Sequence, residues 1–163
     1  MHHKVPTNDN LMTRGVPLPS MCSSCNSQGE TDFHLFFQCP FAMNLWNLLF
    51  SILNTSIQFN TVEDFWLLLD RNWSPQCKLV IKACIVNLLN IIWLRRNQAR
   101  FQGKIIHWKS AINLIIAKTS LADNNTLKTS RGDMLEFSIL KACKLISSLL
   151  KLQLLKKLFG HLL

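Results

Sequence analysis

The sequence has little that would interrupt a helix. It contains five glycines and five prolines in 163 residues, and most of them lie before residue 41. Tight turns are therefore expected near the N-terminus and helices with few sharp turns beyond it. No β-hairpin signal and no internal repeat is present, which argues against sheet and solenoid architectures. Lys and Arg are absent from residues 22–70, which carry five acids: Glu30, Asp32, Glu63, Asp64 and Asp70. Acids are scarce in turn after Asp70, where Asp123, Asp133 and Glu136 face sixteen Lys and Arg. The overall charge of +9 thus hides an acidic segment at −5 and a basic half at +13. A basic half of this kind points to nucleic acid or an anionic surface as a partner. The longest apolar segment, Leu79 to Leu94, is about 16 residues and is interrupted by Lys82, Asn87 and Asn90. It falls short of the ~20 residues a spanning helix needs and reads as a buried helix. The first ten residues are polar with no apolar run behind them, so no secretory signal is expected. The expected setting is intracellular, nuclear or cytoplasmic, with cysteines kept reduced.

What is present fits a mainly α chain. With 48% apolar and 17% charged residues it can bury a core, and its length suits one ordinary domain or two very small ones. Pro6 and Thr7 open a short helix that Gly15 stops. Thr31 caps a turn or two through His34 and Phe37. Pro40 begins a helix to about Leu53, with Phe41, Leu45, Leu48, Leu49 and Ile52 on one face. Thr61 starts another, with Glu63 and Asp64 in its first turn. A long helix is expected from about Cys77 to Phe101, apolar nearly all round and central to the core, with Gly103 ending it. Further helices are expected over "HWKSAINLIIAKTSLA" and, after the polar loop "DNNTLKTSRGD", from Met134 to about Phe159. The expected architecture is a small zinc-stapled helical module followed by a helical bundle. Its divisions are a zinc-binding module over 1–56, a helical connector over 57–125 and a basic amphipathic C-terminal segment over 126–163.

The strongest chemical signal is C-x2-C-x8-H-x4-C. Cys22, Cys25, His34 and Cys39 fall within eighteen residues. Cys22 and Cys25 can sit on one turn with both thiolates facing one ion, and His34 and Cys39 can close a tetrahedron. Soft thiolates with one imidazole select Zn²⁺ over calcium or magnesium. All four positions are then filled by protein, which points to a structural rather than a catalytic ion. The competing reading, buried free cysteines beside an incidental His, is disfavoured because the loop has almost nothing apolar to bury them. Cys77, Cys84 and Cys143 lie in apolar helical stretches and read as small core residues.

These residues resemble the zinc-binding domain found after the reverse transcriptase of plant LINE-type (non-LTR) retroelements. The matching text is "VPTNDNLMTRGV", then "CSSC", then "ETDFHLFFQCPFAMNLW", with Trp46 at the family's helical tryptophan. Downstream, "IIWLRRNQARFQGK" resembles the segment that joins this module to an RNase H-like domain in longer members, so that the resemblance covers roughly residues 2–144. It implies Cys22, Cys25, His34 and Cys39 as zinc ligands. No aspartate-pair polymerase motif is present, and three acids after Asp70 are too few for the converging carboxylates of two-metal RNase H chemistry. The chain therefore looks like a non-catalytic fragment of a mobile-element polyprotein.

Three functions compete. The first is binding of single-stranded RNA or DNA by the basic half. Lys78, Lys82, Arg96 and Arg100 fall on one helical stripe, and Arg95, Arg96, Arg100 and Lys104 form the densest basic cluster, interleaved with Trp93 and Phe101. The same stripe also suits the solvated edge of a core helix, and Trp93 reads first as core. The second is a scaffold for the polymerase or RNase H domain of a cognate element, with no nucleic-acid affinity of its own. The third is membrane association through the basic stretch Lys141 to Leu163. Neither a membrane nor a small-molecule substrate is the expected partner.

Overall fold

A computed structural model describes residues 5–18, 20–57, 64, 66–124 and 133–142, with backbone only for 121–124. Helix dominates: α1 (Asn8–Met12), α2 (Pro40–Ile52), α3 (Leu67–Asp70), α4 (Pro75–Gln102), α5 (Trp108–Asn124) and α6 (134–142). A π-helical turn, His34–Gln38, leads into α2. Among the described residues the only β pairing is one isolated bridge between Met21 and Gly29.

The helix boundaries follow from local chemistry. Ser74 is extended and its hydroxyl accepts from the Cys77 N–H at 3.2 Å, while Pro75 supplies the preset φ of a first helical turn. Gly103 ends α4 in the left-handed region at φ +63°, which a side chain would resist. The long helix is therefore 28 residues, two longer at its start and one at its end than periodicity alone suggests. Thr7 precedes α1 in extended conformation, and Gly15 at φ +80° lets the chain turn away after it. The start of the helix expected at Thr61 lies outside the described residues, as do the loop 125–132, Cys143 and everything beyond 142.

One hydrophobic cluster runs from Cys22 through α2, α3, α4 and α5 to Ile139 on α6, across the boundary drawn near residue 56. Helix α4 lies at its centre. Val80, Ile81, Ile85, Leu88, Ile91 and Ile92 are buried, and Lys78, Lys82, Val86, Asn90 and Leu94 form a line facing solvent. The helix is thus not apolar all round. By length and composition it could cross a membrane; in this fold its apolar face is the core. Helix α6 is tied to the start of α4, where the buried Glu136 carboxylate accepts from the Ser74 N–H at 2.6 Å.

An aromatic stack joins α2 to the π-turn. Trp46 lies 5.7 Å from Phe37 and 6.0 Å from Phe50, and its indole N–H donates to the Phe36 carbonyl at 2.7 Å. Phe36 in turn stacks on Trp93 of α4 at 6.5 Å. Trp93 is a packing residue, and its ring contributes to the same cluster.

Candidate metal centre

The ligands come from two short pieces of chain. The first is a knuckle around Cys22 and Cys25. The Cys22 N–H donates to Gln28 O and the Asn26 N–H to Cys22 O, both at 2.8 Å, with Asn26 in the left-handed region at φ 54°. The second is the π-turn. His34 N–H donates to the Thr31 hydroxyl at 3.0 Å, which fixes the entry, and Cys39 N–H donates to His34 O at 2.6 Å, the i→i+5 bond of a π-helix. That bond matters for the chemistry. In an α-helix residues five apart diverge by ~140°. The wider π-turn brings His34 and Cys39 round to one side.

The result is a cluster of four donors, from Cys22, Cys25, His34 and Cys39, all within 4.8 Å of one another. Tetrahedral zinc with Zn–S ~2.3 Å and Zn–N ~2.0–2.1 Å holds its ligands about 3.5–3.8 Å apart. Cys25 Sγ and His34 Nε2 are 3.4 Å apart, close to that edge. His34 Nδ1 is buried without a hydrogen-bond partner. An ion held through Nε2 would leave Nδ1 as it is, so the case for a metal rests on the convergence of the four donors. Cys22 and Cys39 are linked by a side-chain hydrogen bond. The Cys22 thiol is pushed well up, first by its hydrogen bond to Cys39 and then by burial, while the same bond holds Cys39 down. A divalent cation would take the place of the proton in that bond. His34 is held below its ordinary value by burial, with the Glu30 charge opposing, and so stays neutral and able to ligate. No disulfide engages Cys22, Cys25, Cys39, Cys77 or Cys84.

Residues 1–46 match a family model described as zinc-binding in reverse transcriptase. The match ends at Trp46, about a quarter of the chain, and takes in all four donors, so the segment is similar to a reverse-transcriptase-type zinc-binding domain at the residues that could hold a metal ion. No curated protein and no solved structure matches the chain.

The matched segment does not stand alone. Two consecutive arginines of α4 reach into it. Arg95 Nη2 donates to Ser24 O, inside the knuckle, at 3.1 Å, and Nη1 donates to Ile106 O; the guanidinium lies 4.2 Å from the Phe41 ring. Burial pushes its pKa down, and the Cys39, Cys22 and Cys25 sulfurs oppose that shift. Arg95 is thus a positive charge acting on a ligand set that would carry net −1 with three thiolates around Zn²⁺.

Arg96 is a correction to the sequence reading. It is not available to phosphate. Its side chain is 2% exposed, and it forms an ion pair at 2.6 Å with Glu30, whose side chain is fully buried. Arg96 also donates to Asn8 Oδ1 at 3.2 Å and Pro6 O at 3.3 Å, and Glu30 accepts the Asn8 N–H at 3.1 Å. The helical wheel places Lys78, Lys82, Arg96 and Arg100 on one stripe correctly. What it omits is the cover: the N-terminal segment and the knuckle lie over this stripe at the last third of α4, whereas at the first third the stripe, with Lys78 and Lys82, faces water. Lys78, Lys82 and Lys104 are exposed, and Arg100 is half-buried with its Nη1 on Asn8 Oδ1. Glu30 went unassigned in the sequence, although it is one of five acids in a stretch without cations and stands four residues before His34.

Proposed function

We propose that the chain is a non-catalytic accessory fragment of a reverse transcriptase polyprotein from a plant LINE-type element, in which a structural Zn²⁺ staples the Cys22–Cys25 knuckle to the π-turn ahead of α2 and the basic half holds nucleic acid. The observation that carries the reading is the four-donor cluster within 4.8 Å inside a segment matching a reverse-transcriptase zinc-binding model. Cys22, Cys25, His34 and Cys39 would fill a tetrahedral shell and leave no position for a reacting water, so bound zinc would supply cross-linking rather than Lewis-acid chemistry. The nucleic-acid part rests on charge, since no acid occurs between Asp70 and Asp123.

Native mass spectrometry of the full chain, with and without chelator, tests the metal. One zinc per chain is expected, with Cys25→Ser losing stoichiometric binding and hydrogen-exchange protection over residues 20–46. Full zinc retention with Cys25 and His34 both replaced would refute the site. Primer extension and RNA–DNA hybrid cleavage with Mg²⁺ or Mn²⁺ should stay at background.

A further inference from the structure

The basic residues singled out from the sequence do not remain one surface. Arg95 and Arg96 turn inward and Trp93 packs, and what is left at the end of α4 continues into the loop before α5. Residues 100–109 read "RFQGKIIHWK", with three Lys or Arg and no acid. Phe101 is 72% exposed, Ile105 69% and Trp108 37%. Each ring has a cation beside it: Arg100 lies 5.6 Å from the Phe101 centroid and Lys109 5.7 Å from the Trp108 centroid, with His107 6.1 Å from Trp108. Lys104 is exposed between them. The elbow's backbone is held in place. Gly103 adopts φ +63°, Lys104 N–H donates to Gln98 O at 3.2 Å, Ala111 N–H to His107 O at 3.0 Å, and Ile106 O accepts from Arg95. Alongside lies an open cavity of about 470 Å³, lined by Asn8, Ser23, Asn26, Arg100, Gly103 and Ile105, with no carboxylate among them.

We propose that this elbow is the nucleic-acid contact surface, and that its ligand is a single strand whose bases stack on Phe101 and Trp108 while Arg100, Lys104 and Lys109 hold the flanking phosphates. The inference rests on the reading of the basic half as nucleic-acid binding and gives that reading a place. Two exposed rings need bases that are free to leave a stack, which a single strand offers and a duplex does not. Arg100 is bridged to Asn8, so its guanidinium is already oriented at the cavity rim, and the cavity has room for a phosphate or a sugar edge. Charge complementarity points to a polyanion: the surface combines cations with amides and a hydroxyl, and the acids closest to its lining in sequence, Asp9 and Glu30, are engaged, Asp9 by the Thr7 hydroxyl and Glu30 by Arg96. The opposite end of α4 also sets rings beside cations, Phe137 by Lys141 at 5.8 Å and the half-buried Trp73 by Arg71 at 6.0 Å, but Asp70, Asp133 and Glu136 lie in the same stretches of chain, whereas residues 100–109 hold no acid.

The test is fluorescence anisotropy of the zinc-loaded full chain with labelled 20-mers of oligo-dT and oligo-U, a matched duplex, and vesicles with an anionic headgroup, across a salt series. Phe101→Ala and Trp108→Ala should each weaken single-strand binding about 5- to 150-fold. Lys104→Gln with Lys109→Gln should flatten the log–log salt slope by about 1.4. The charge-matched pair Lys118→Gln with Lys141→Gln, on α5 and α6, should leave the slope within error of the parent. Circular dichroism and zinc content confirm that each variant is folded; all four elbow side chains are exposed and Phe101→Leu is a milder second variant should the alanine unfold. If the parent binds strands and the elbow variants behave like the control pair, the elbow is wrong and the wider reading stands. If the parent binds no strand at any salt, or binds vesicles in preference, both fall.

Discussion

Replacing Arg96 with Met should cost the protein about 3–5 kcal/mol, the range for stranding one member of a buried ion pair. The reasoning starts from what Glu30 would be left with. Its carboxylate now accepts from Arg96 Nε at 3.0 and 3.2 Å, from Nη2 at 2.6 Å, and from the Asn8 N–H at 3.1 Å. Met fills much of the same volume but supplies no donor, so an ionised carboxylate would remain in the core with one backbone N–H. A domain has about 5–15 kcal/mol in all, so the loss should be plain in urea unfolding of the zinc-loaded protein followed at 222 nm. Glu30→Gln alone should fall in a similar range, because it strands the guanidinium. The double variant, Glu30→Gln with Arg96→Met, should cost clearly less than the two single losses together, since neither charge then remains. Hydrogen exchange over Asn8–Met12 should rise in both single variants, as Glu30 and Arg96 are what fasten that segment. A loss below ~1 kcal/mol for Arg96→Met, the scale of an exposed pair, or strict additivity in the double variant, would refute the buried network.

Two further outcomes follow from named contacts. Trp46→Phe keeps the stack with Phe37 and Phe50 but removes the indole N–H from Phe36 O, and should lower stability by about 1–3 kcal/mol in denaturant titration; an unchanged midpoint would mean that this bond contributes nothing. For the metal-free protein, His34 sets a pH direction: its folded pKa lies below its unfolded value of 6.5, so its contribution is fully present above 6.5 and is lost as pH falls from there through the folded pKa. Urea midpoints of chelated protein should therefore drop as pH falls below about 6.5, and His34→Gln should remove that part of the slope.

The ligand set is legible in the sequence because metal spacing is local: two turns and four residue types decide it. The ends of α4 are legible for the same reason, since Ser74-Pro75 and Gly103 act on their own backbone. The π-turn is not called for by any helix propensity. Its signal is the H-x4-C spacing itself, which an α-helix cannot bring to one ion. The fate of the arginines is less visible still. Arg95 and Arg96 are adjacent on a helix, and periodicity gives their angles but not what lies over them. Their partners are Ser24 at a separation of 71 residues and Glu30 at 66. Contacts at that range are chosen by packing, and charge counting alone reads them as a free basic patch.

Arg95 and Arg96 also bear on where the unit of folding ends. The segment recognisable by likeness stops at Trp46, yet the cation beside its thiolates and the cation paired with its buried carboxylate are both supplied from α4, some fifty residues later. A polypeptide cut anywhere between residues 46 and 95 would keep all four candidate metal donors and lose both counter-charges. It would carry an acidic segment with no Lys or Arg of its own from residue 22 to 70. The recognisable segment is thus smaller than the unit its charges and core define, and an excised piece should keep α4 together with the α5 and α6 residues packed on it rather than end after the last donor.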